Sequence, residues 1–192
     1  IDKDRIDAFL TPTESRRKKL LIADMDSTIV TSETLDDIAA ELGIGDIVSK
    51  ITARAMRGEL DFKAALTERV ALLAGKSTDV LETIRNKTKL TDGALSLVKT
   101  MKKNGAICVL ISGGFTYFGR FLQERLGIDY VYANELAIQD GKVTGEVSGV
   151  VVDGQRKAEL LQEIARKEGI DMEQCIAVGD GANDLPMLGA AG

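Results

Sequence analysis

The sequence predicts an α/β fold, a doubly wound and mainly parallel Rossmann-like sheet with a small helical domain inserted after its first strand. Two observations support this prediction. Short apolar runs, which are typical of buried strands, alternate with segments of helical apolar spacing along the second half of the chain. Between residues 33 and 90, helical spacing continues and no comparable apolar strand interrupts it. The 192 residues are enough for one core domain with a modest insertion.

The first third of the chain predicts a linker, one strand and the insertion. Residues 1–19 are polar and charged, so we expect a solvated linker or the remnant of an upstream region. An apolar run at about 20–23 predicts the first strand. We therefore expect the sheet domain over 20–32 and 91–192, and a helical-bundle cap over 33–90.

The rest of the chain alternates between helix and strand. Asp92 is predicted to be the N-cap of the first helix after the insertion, and Asp140-Gly141 between two apolar segments predicts a hairpin turn. The remaining predicted elements are helices over 93–103, about 115–126 and about 155–168, a helix beginning near Asp184, and strands over 107–111, 130–133 and 175–178.

The composition narrows the functional classes. A net charge of −5 disfavours nucleic acid as a general partner, and no apolar run approaches the roughly 20 residues that a membrane helix needs. Two cysteines, both inside apolar strand-like runs, are expected to be buried thiols in a reducing cytoplasm. Because the chain begins at Ile1 and stops at Gly192 directly after a predicted helix, we expect it to be part of a longer protein.

Histidine is absent, so proton transfer near neutral pH is left to carboxylates with shifted pKa values, or to lysine, cysteine or tyrosine. Asp24 and Asp26 directly follow the first strand, and residues two apart in an extended segment share a face. Ligands bind at this end of the strands in open α/β sheets. The pair therefore predicts carboxylate and metal chemistry.

Two further strand ends carry polar groups of the same chemistry. Ser112-Gly113-Gly114 follows the second core strand, and its glycine N–H groups can form an anion-binding nest. Asp180 and Asp184 follow the last strand, where oxygen ligands without histidine favour Mg²⁺. Lys157, near a helix start, is the candidate cation for an anion site that contains this many carboxylates.

The order of these motifs resembles that of the haloacid dehalogenase-like (HAD-like) hydrolase superfamily. The motifs are an Asp-x-Asp strand end, a Ser/Thr strand end, a lysine and an acidic Gly-Asp loop. The match covers about residues 18–192. Within the superfamily the chain is more similar to the phosphoserine phosphatase family, because the segments Met56–Phe62 and Glu68–Val70 of the insertion also match. The resemblance implies functional roles for Asp24, Asp26, Glu33, Met56, Phe62, Arg69, Ser112, Gly113, Lys157, Asp180, Asn183 and Asp184.

The resemblance implies a two-step hydrolysis of O-phospho-L-serine, the last step of serine biosynthesis. Asp24 would be the nucleophile and Asp26 the acid and base. The resemblance assigns Mg²⁺ to Asp24, the Asp26 carbonyl, Asp180 and Asp184.

Substrate contacts are also implied by the resemblance. Phosphate oxygens would be held by Ser112, the Gly113 N–H and Lys157, with Asn183 among the binding residues. Glu33 would pair with the substrate ammonium and Arg69 with its carboxylate. Met56 and Phe62 would form an apolar wall.

Two alternatives stay open at this point. One is a related HAD-like phosphatase or phosphotransferase acting on another small phosphomonoester. The other is a phospho-acceptor signalling module, which Asp26 disfavours because receiver domains lack an acid at that position. The sequence does not indicate an oligomeric state.

Overall fold

The computed structural model describes residues 13–192, so the first twelve residues of the predicted linker lie outside the described part. Five strands form one sheet in the order β4-β3-β2-β1-β5. They are β1 (Leu20–Ala23), β2 (Ile107–Phe115), β3 (Tyr130–Gln139), β4 (Lys142–Ser148) and β5 (Cys175–Val178). All neighbouring pairs are parallel except β3 with β4, which confirms the mainly parallel sheet.

Both faces of the sheet are covered by helices. Along β1, Leu21 and Ala23 belong to one hydrophobic cluster, whereas Leu20 and Ile22 belong to the other. The first cluster includes side chains of α5 (Ala94–Lys103) and α6 (Thr116–Leu126), and the second includes those of α7 (Gly154–Glu168) and α8 (Leu185–Ala190). Because successive side chains of a strand point to opposite faces, an uninterrupted apolar run was required here.

Four helices lie between β1 and α5, as the periodicity predicts. They are α1 (Thr34–Glu41), α2 (Gly45–Met56), α3 (Phe62–Ala71) and α4 (Asp79–Lys87). The chain leaves and returns along a short antiparallel contact, in which Thr31 N–H donates to Lys89 O at 3.0 Å and Thr91 N–H donates to Ile29 O at 3.0 Å. The division into a sheet domain and a cap stays a prediction.

The β3–β4 hairpin turns at Asp140 and Gly141, which have φ values of 51° and 73°. Two positive φ values in succession are characteristic of a type I′ turn, so the predicted hairpin is confirmed. The hairpin also contacts the helical insertion: Gly75 N–H donates to Val143 O at 2.8 Å, and Val143 N–H donates to Lys76 O at 2.9 Å.

Three local predictions were wrong, and one of them ended β3 at residue 133 although the strand continues to Gln139. Asp92 does not cap α5, because Gly93 at φ 89° precedes the helix and no side chain caps it. Strand β2 continues to Phe115, four residues beyond the predicted end, because Gly113 and Gly114 stay extended through an irregularity in the β2–β3 register.

Within residues 13–192, no helix is both long and apolar enough to cross a membrane.

Candidate active site

A cavity of about 110 Å³ lies where β1, β2 and β5 end and the helical insertion covers the sheet. Its small volume, well below the several hundred Å³ of pockets for drug-sized ligands, fits a small molecule. Most of the predicted site residues line it together, namely Asp24, Asp26, Glu33, Phe62, Arg69, Ser112, Gly113, Asp180 and Asn183. Residues from three strand ends and from the insertion therefore meet, although they are far apart in sequence.

Asp24, directly after β1, is buried and lies beside a fully buried lysine. Lys157 Nζ is 2.8 Å from Asp24 Oδ1 and 2.7 Å from Asp184 Oδ1. Lys157 is in the first turn of α7, whose N-cap Asp153 accepts a hydrogen bond from Arg156 N–H. The lysine does not line the cavity itself, and its ammonium is held between two carboxylates.

Asp24, Asp180 and Asp184 form an acidic cluster in which one oxygen of each residue lies within 4.8 Å of the others. Among residues 13–192, the side-chain partner of Asp24 Oδ1 is the ammonium of Lys157. Three carboxylates with one lysine leave two negative charges, and the ligand atoms are all oxygen. The residues present therefore fit a hard divalent cation.

Burial raises the pKa of Asp24 from 3.8 to about 6, although the ammonium of Lys157 opposes the rise. A raised pKa reflects the cost of placing a carboxylate charge away from water. A cation between the carboxylates would offset this cost, which is a second reason why the cluster fits a metal ion.

Asp26 lies two residues further along and has a different environment. Its Oδ1 accepts from Thr34 N–H at 3.1 Å, and its Oδ2 accepts from the Thr34 hydroxyl at 3.3 Å. Burial raises the pKa of Asp26 to about 7; the Thr34 hydrogen bonds lower it, and the charges of Glu33 and Asp24 raise it. Asp26 is therefore able to hold or release a proton near neutral pH.

Ser112 is buried at the end of the regular part of β2. Its hydroxyl oxygen accepts a hydrogen bond from Gly114 N–H at 2.8 Å, so the hydroxyl proton is left to donate to a ligand. Gly114 has to be glycine because a Cβ there would lie 2.5 Å from Asp26 Oδ2. A Cβ at Gly113 would lie 2.8 Å from the Phe62 ring, so a larger residue there would displace that ring.

The insertion contributes one acidic side chain, one basic side chain and apolar side chains to the cavity. Glu33 is exposed, and its Oε1 accepts from Ser27 Oγ at 2.6 Å. Arg69 is half-buried, its Nε donates to Ala65 O at 3.2 Å, and no carboxylate of residues 13–192 lies within ion-pair distance of it. Phe62 closes over Gly113.

Met56 is not brought to the cavity. It is the last residue of α2, and 85% of it is exposed. The apolar lining comes instead from Phe62, Leu35, Leu66 and Phe115, three of which are buried and were not predicted as site residues. An apolar residue at helical spacing gives no signal that it also faces a cavity.

A family model of the haloacid dehalogenase-like hydrolases matches residues 21–189. The chain belongs to this family. Curated relatives include a phosphoserine phosphatase from Archaeoglobus fulgidus, 50% identical over 97% of this chain and 55% of that protein. Another is the phosphoserine phosphatase from Methanocaldococcus jannaschii, 43% identical over 92% of this chain and 84% of that protein.

Among solved structures, this HAD-like chain is similar to a phospho-aspartyl intermediate analogue of phosphoserine phosphatase. The TM-score is 0.85 at 43% identity, and the match covers 92% of this chain and 85% of the other. The chain spans about half the length of the Archaeoglobus relative. The fold prediction and the predicted resemblance to phosphoserine phosphatases are confirmed.

Sequence reasoning missed two threonines that hold the site of this HAD-like chain together. Thr34 binds Asp26 through both its N–H and its hydroxyl. Thr28 Oγ1 donates to Asp180 Oδ1 at 2.8 Å. A threonine at a helix start is a weak signal for such a role, since hydroxyl residues are common there as simple caps.

Proposed function

We propose that this chain hydrolyses O-phospho-L-serine to serine and phosphate through a phosphorylated Asp24. The observation that carries the proposal is that Asp24, which is ion-paired with the buried Lys157, and Asp26 line one small cavity with Glu33 and Arg69. A phosphate ester with an ammonium and a carboxylate matches these groups. The phosphoserine phosphatases among the relatives support the same substrate.

The metal we propose is Mg²⁺, which the carboxylates of Asp24, Asp180 and Asp184 and the main-chain carbonyl of Asp26 would hold. When bound, Mg²⁺ supplies positive charge that stabilises the charge developing on the phosphoryl oxygens.

In the first step a carboxylate oxygen of Asp24 attacks phosphorus, and the bond between phosphorus and the serine oxygen breaks. An alkoxide is a poor leaving group, so Asp26 donates its proton to the serine oxygen as that bond breaks. The pKa of about 7 supports this role, because an ordinary aspartate would be ionised at neutral pH. Ser112, the Gly113 N–H and Lys157 offset the negative charge of the phosphate.

In the second step Asp26, now ionised, removes a proton from water as the water oxygen attacks phosphorus. The acyl phosphate bond breaks, which releases phosphate and the Asp24 carboxylate. Asp26 is protonated again and ready for the next substrate. Splitting one difficult hydrolysis into two easier steps is the advantage of a carboxylate nucleophile.

Recognition of serine is assigned to the insertion. Glu33 would pair with the substrate ammonium and Arg69 with its carboxylate in a two-pronged contact. Phe62 would exclude water over the phosphate, and Asn183 would contact the substrate from the β5 side. Met56 could reach the substrate only if the predicted cap, residues 33–90, closes further over the sheet domain formed by 20–32 and 91–192.

We further propose that the reaction is the last step of serine biosynthesis and takes place in the cytoplasm. The two cysteines support a reducing compartment, since Cys108 and Cys175 are both free and buried. The partner we propose is the small-molecule substrate, with neither nucleic acid nor a membrane involved.

Phosphate release from a panel of esters tests the proposal. L-phosphoserine, D-phosphoserine, phosphothreonine and phosphoethanolamine are compared with and without Mg²⁺. We expect the highest kcat/KM for L-phosphoserine, with activity lost on chelation and restored by Mg²⁺. Strong activity on another ester alongside failure on phosphoserine would overturn the substrate assignment, and a phosphoenzyme lasting minutes without turnover would instead favour a signalling module.

A further inference from the structure

Asn134 is a buried polar residue of β3 that no part of the proposed mechanism uses. It is 1% exposed, yet both ends of its side chain are hydrogen-bonded. Its Nδ2 donates to Gly113 O at 2.7 Å, and its Oδ1 accepts from Val152 N–H at 2.8 Å. A carbonyl only accepts and an N–H only donates, so these backbone partners fix the orientation of the amide.

The first contact compensates for an irregularity in the sheet. In the β2–β3 pairing, Ile111 lies opposite Tyr132, and the next paired residue, Phe115, lies opposite Asn134. Three residues of β2, 112–114, therefore correspond to the single residue Ala133 of β3. Extra residues in a strand disrupt its ladder and leave backbone groups in need of other partners. The Asn134 amide supplies that partner to the Gly113 carbonyl.

Fixing this carbonyl also fixes the hydroxyl of Ser112. The Gly113 carbonyl and the Gly114 N–H belong to one planar peptide unit, so holding one end sets the direction of the other. Gly114 N–H donates to Ser112 Oγ at 2.8 Å. The hydrogen bonds therefore run from Asn134 through the peptide to Ser112, and the Ser112 proton remains to bind phosphate.

The second contact reaches the segment that carries Lys157. Val152 immediately precedes Asp153, the N-cap of α7, and Lys157 N–H donates to Asp153 O at 3.0 Å in the first turn of that helix. One side chain thus joins the two segments that hold the serine and the lysine of the phosphate site.

We infer that Asn134 is a positioning residue for phosphate recognition, holding Ser112 and the start of α7 in register through its two backbone contacts. This inference rests on the proposed phosphatase function. Asn134 acts only through other groups and does not touch the substrate.

The test compares Asn134→Leu, which has a similar size and removes both contacts, with Asn134→Ser, whose short side chain cannot span them. Thr88→Val is the matched control, because it removes a buried hydrogen bond from Thr88 Oγ1 to Ile84 O at 2.9 Å outside the cavity. For each variant we measure thermal unfolding, kcat and KM for phosphoserine with Mg²⁺, and the inhibition constant of inorganic phosphate.

We expect both Asn134 variants to lose about 10- to 100-fold in kcat/KM and to bind inorganic phosphate more weakly, since small misplacements of binding groups are costly. Thr88→Val should leave both values near those of the wild type at a comparable loss of thermal stability. In a double-mutant cycle with Ser112→Ala, the two losses should be less than additive, because Asn134 acts partly through Ser112.

Unchanged phosphate inhibition and kcat/KM in folded Asn134→Ser would overturn the inference, as would fully additive losses with Ser112→Ala. Asn134→Ser is the milder change and decides the matter if Asn134→Leu does not fold. If the wild-type chain does not hydrolyse phosphoserine, the proposed function fails, and calorimetric titration of the same variants with inorganic phosphate still decides the role of Asn134.

Discussion

The sheet side and the insertion side of the cavity hold their polar groups in different ways. On the sheet side, Asp24, Ser112 and Lys157 are buried and contact other groups of the protein before any ligand binds. On the insertion side, Glu33 is exposed and Arg69 has no carboxylate partner within residues 13–192.

The difference matches the two tasks of the site. Phosphoryl transfer depends on positioning and on charges fixed in advance, so its groups belong on a rigid sheet. Selection of a small amino-acid ester needs groups that are available to the ligand, and Glu33 at the start of α1 and Arg69 in α3 are placed on the insertion for this task. Changes on the sheet side should therefore affect all substrates, whereas changes on the insertion side should affect one substrate more than another.

The largest effect is expected from Asp24→Asn. Loss of the nucleophile should reduce phosphate release by on the order of 10⁴-fold or more for every ester and abolish the phosphoenzyme. Phosphate release and trapping of labelled phosphoenzyme measure this, with the exposed Asp79→Asn as the matched control. Turnover close to that of the wild type would remove Asp24 from the nucleophile role.

Arg69→Ala is expected to discriminate between substrates. Without the guanidinium, kcat/KM for phosphoserine should fall by about 100-fold, because the substrate loses the stabilisation that a hydrogen bond to a charged group provides. Phosphoethanolamine, which has no carboxylate, should change much less. Arg166→Ala on the outer face of α7 controls for loss of charge, and equal losses on both esters would contradict a carboxylate contact.

The metal-free protein should become less stable as the pH rises towards 7. The folded-state pKa of Asp26 is about 7 against 3.8 for an aspartate carboxyl in water, so the folded protein holds more protons between these values. Its contribution to the free energy of unfolding is present at low pH and is lost as the pH rises, at up to about 1.4 kcal/mol for each pH unit. Urea unfolding at about pH 5 and about pH 8 measures this contribution.

Asp26→Asn is the comparison that isolates this group, because the amide does not titrate. We expect the variant to show a flatter pH dependence than the wild type over the same range. If the two profiles are parallel, the Asp26 carboxyl is not desolvated as the structure indicates.

The smallest effect is expected from Met56→Ala. With 85% of the residue exposed, truncation should leave stability unchanged within about 0.5 kcal/mol. A rise of a few fold in KM for phosphoserine with an unchanged kcat would show that Met56 reaches the bound substrate when the cap closes. Kinetic constants identical to those of the wild type would place Met56 outside the recognition surface.

Much of the fold was predictable because its signals are local. The uninterrupted apolar run at β1 and the Asp140-Gly141 turn are set by neighbouring residues, and both predictions were confirmed. The carboxyl ends of parallel strands meet at one edge, so the convergence of Asp24, Ser112 and Asp180 also followed from the order of strands. The prediction that Asp92 caps α5 was wrong because Gly93, at positive φ, occupies the N-cap position.

The sequence by itself determined the order of strands and helices and which strand ends carry acidic or hydroxyl groups, since these depend on short-range patterns. Only the tertiary structure decided which of these groups are paired. The contacts of Lys157 with Asp24, of Thr34 with Asp26 and of Asn134 with Gly113 join separate elements of the chain. Such pairings depend on how sheet, bulge and helices pack in space, and no spacing along the chain encodes them.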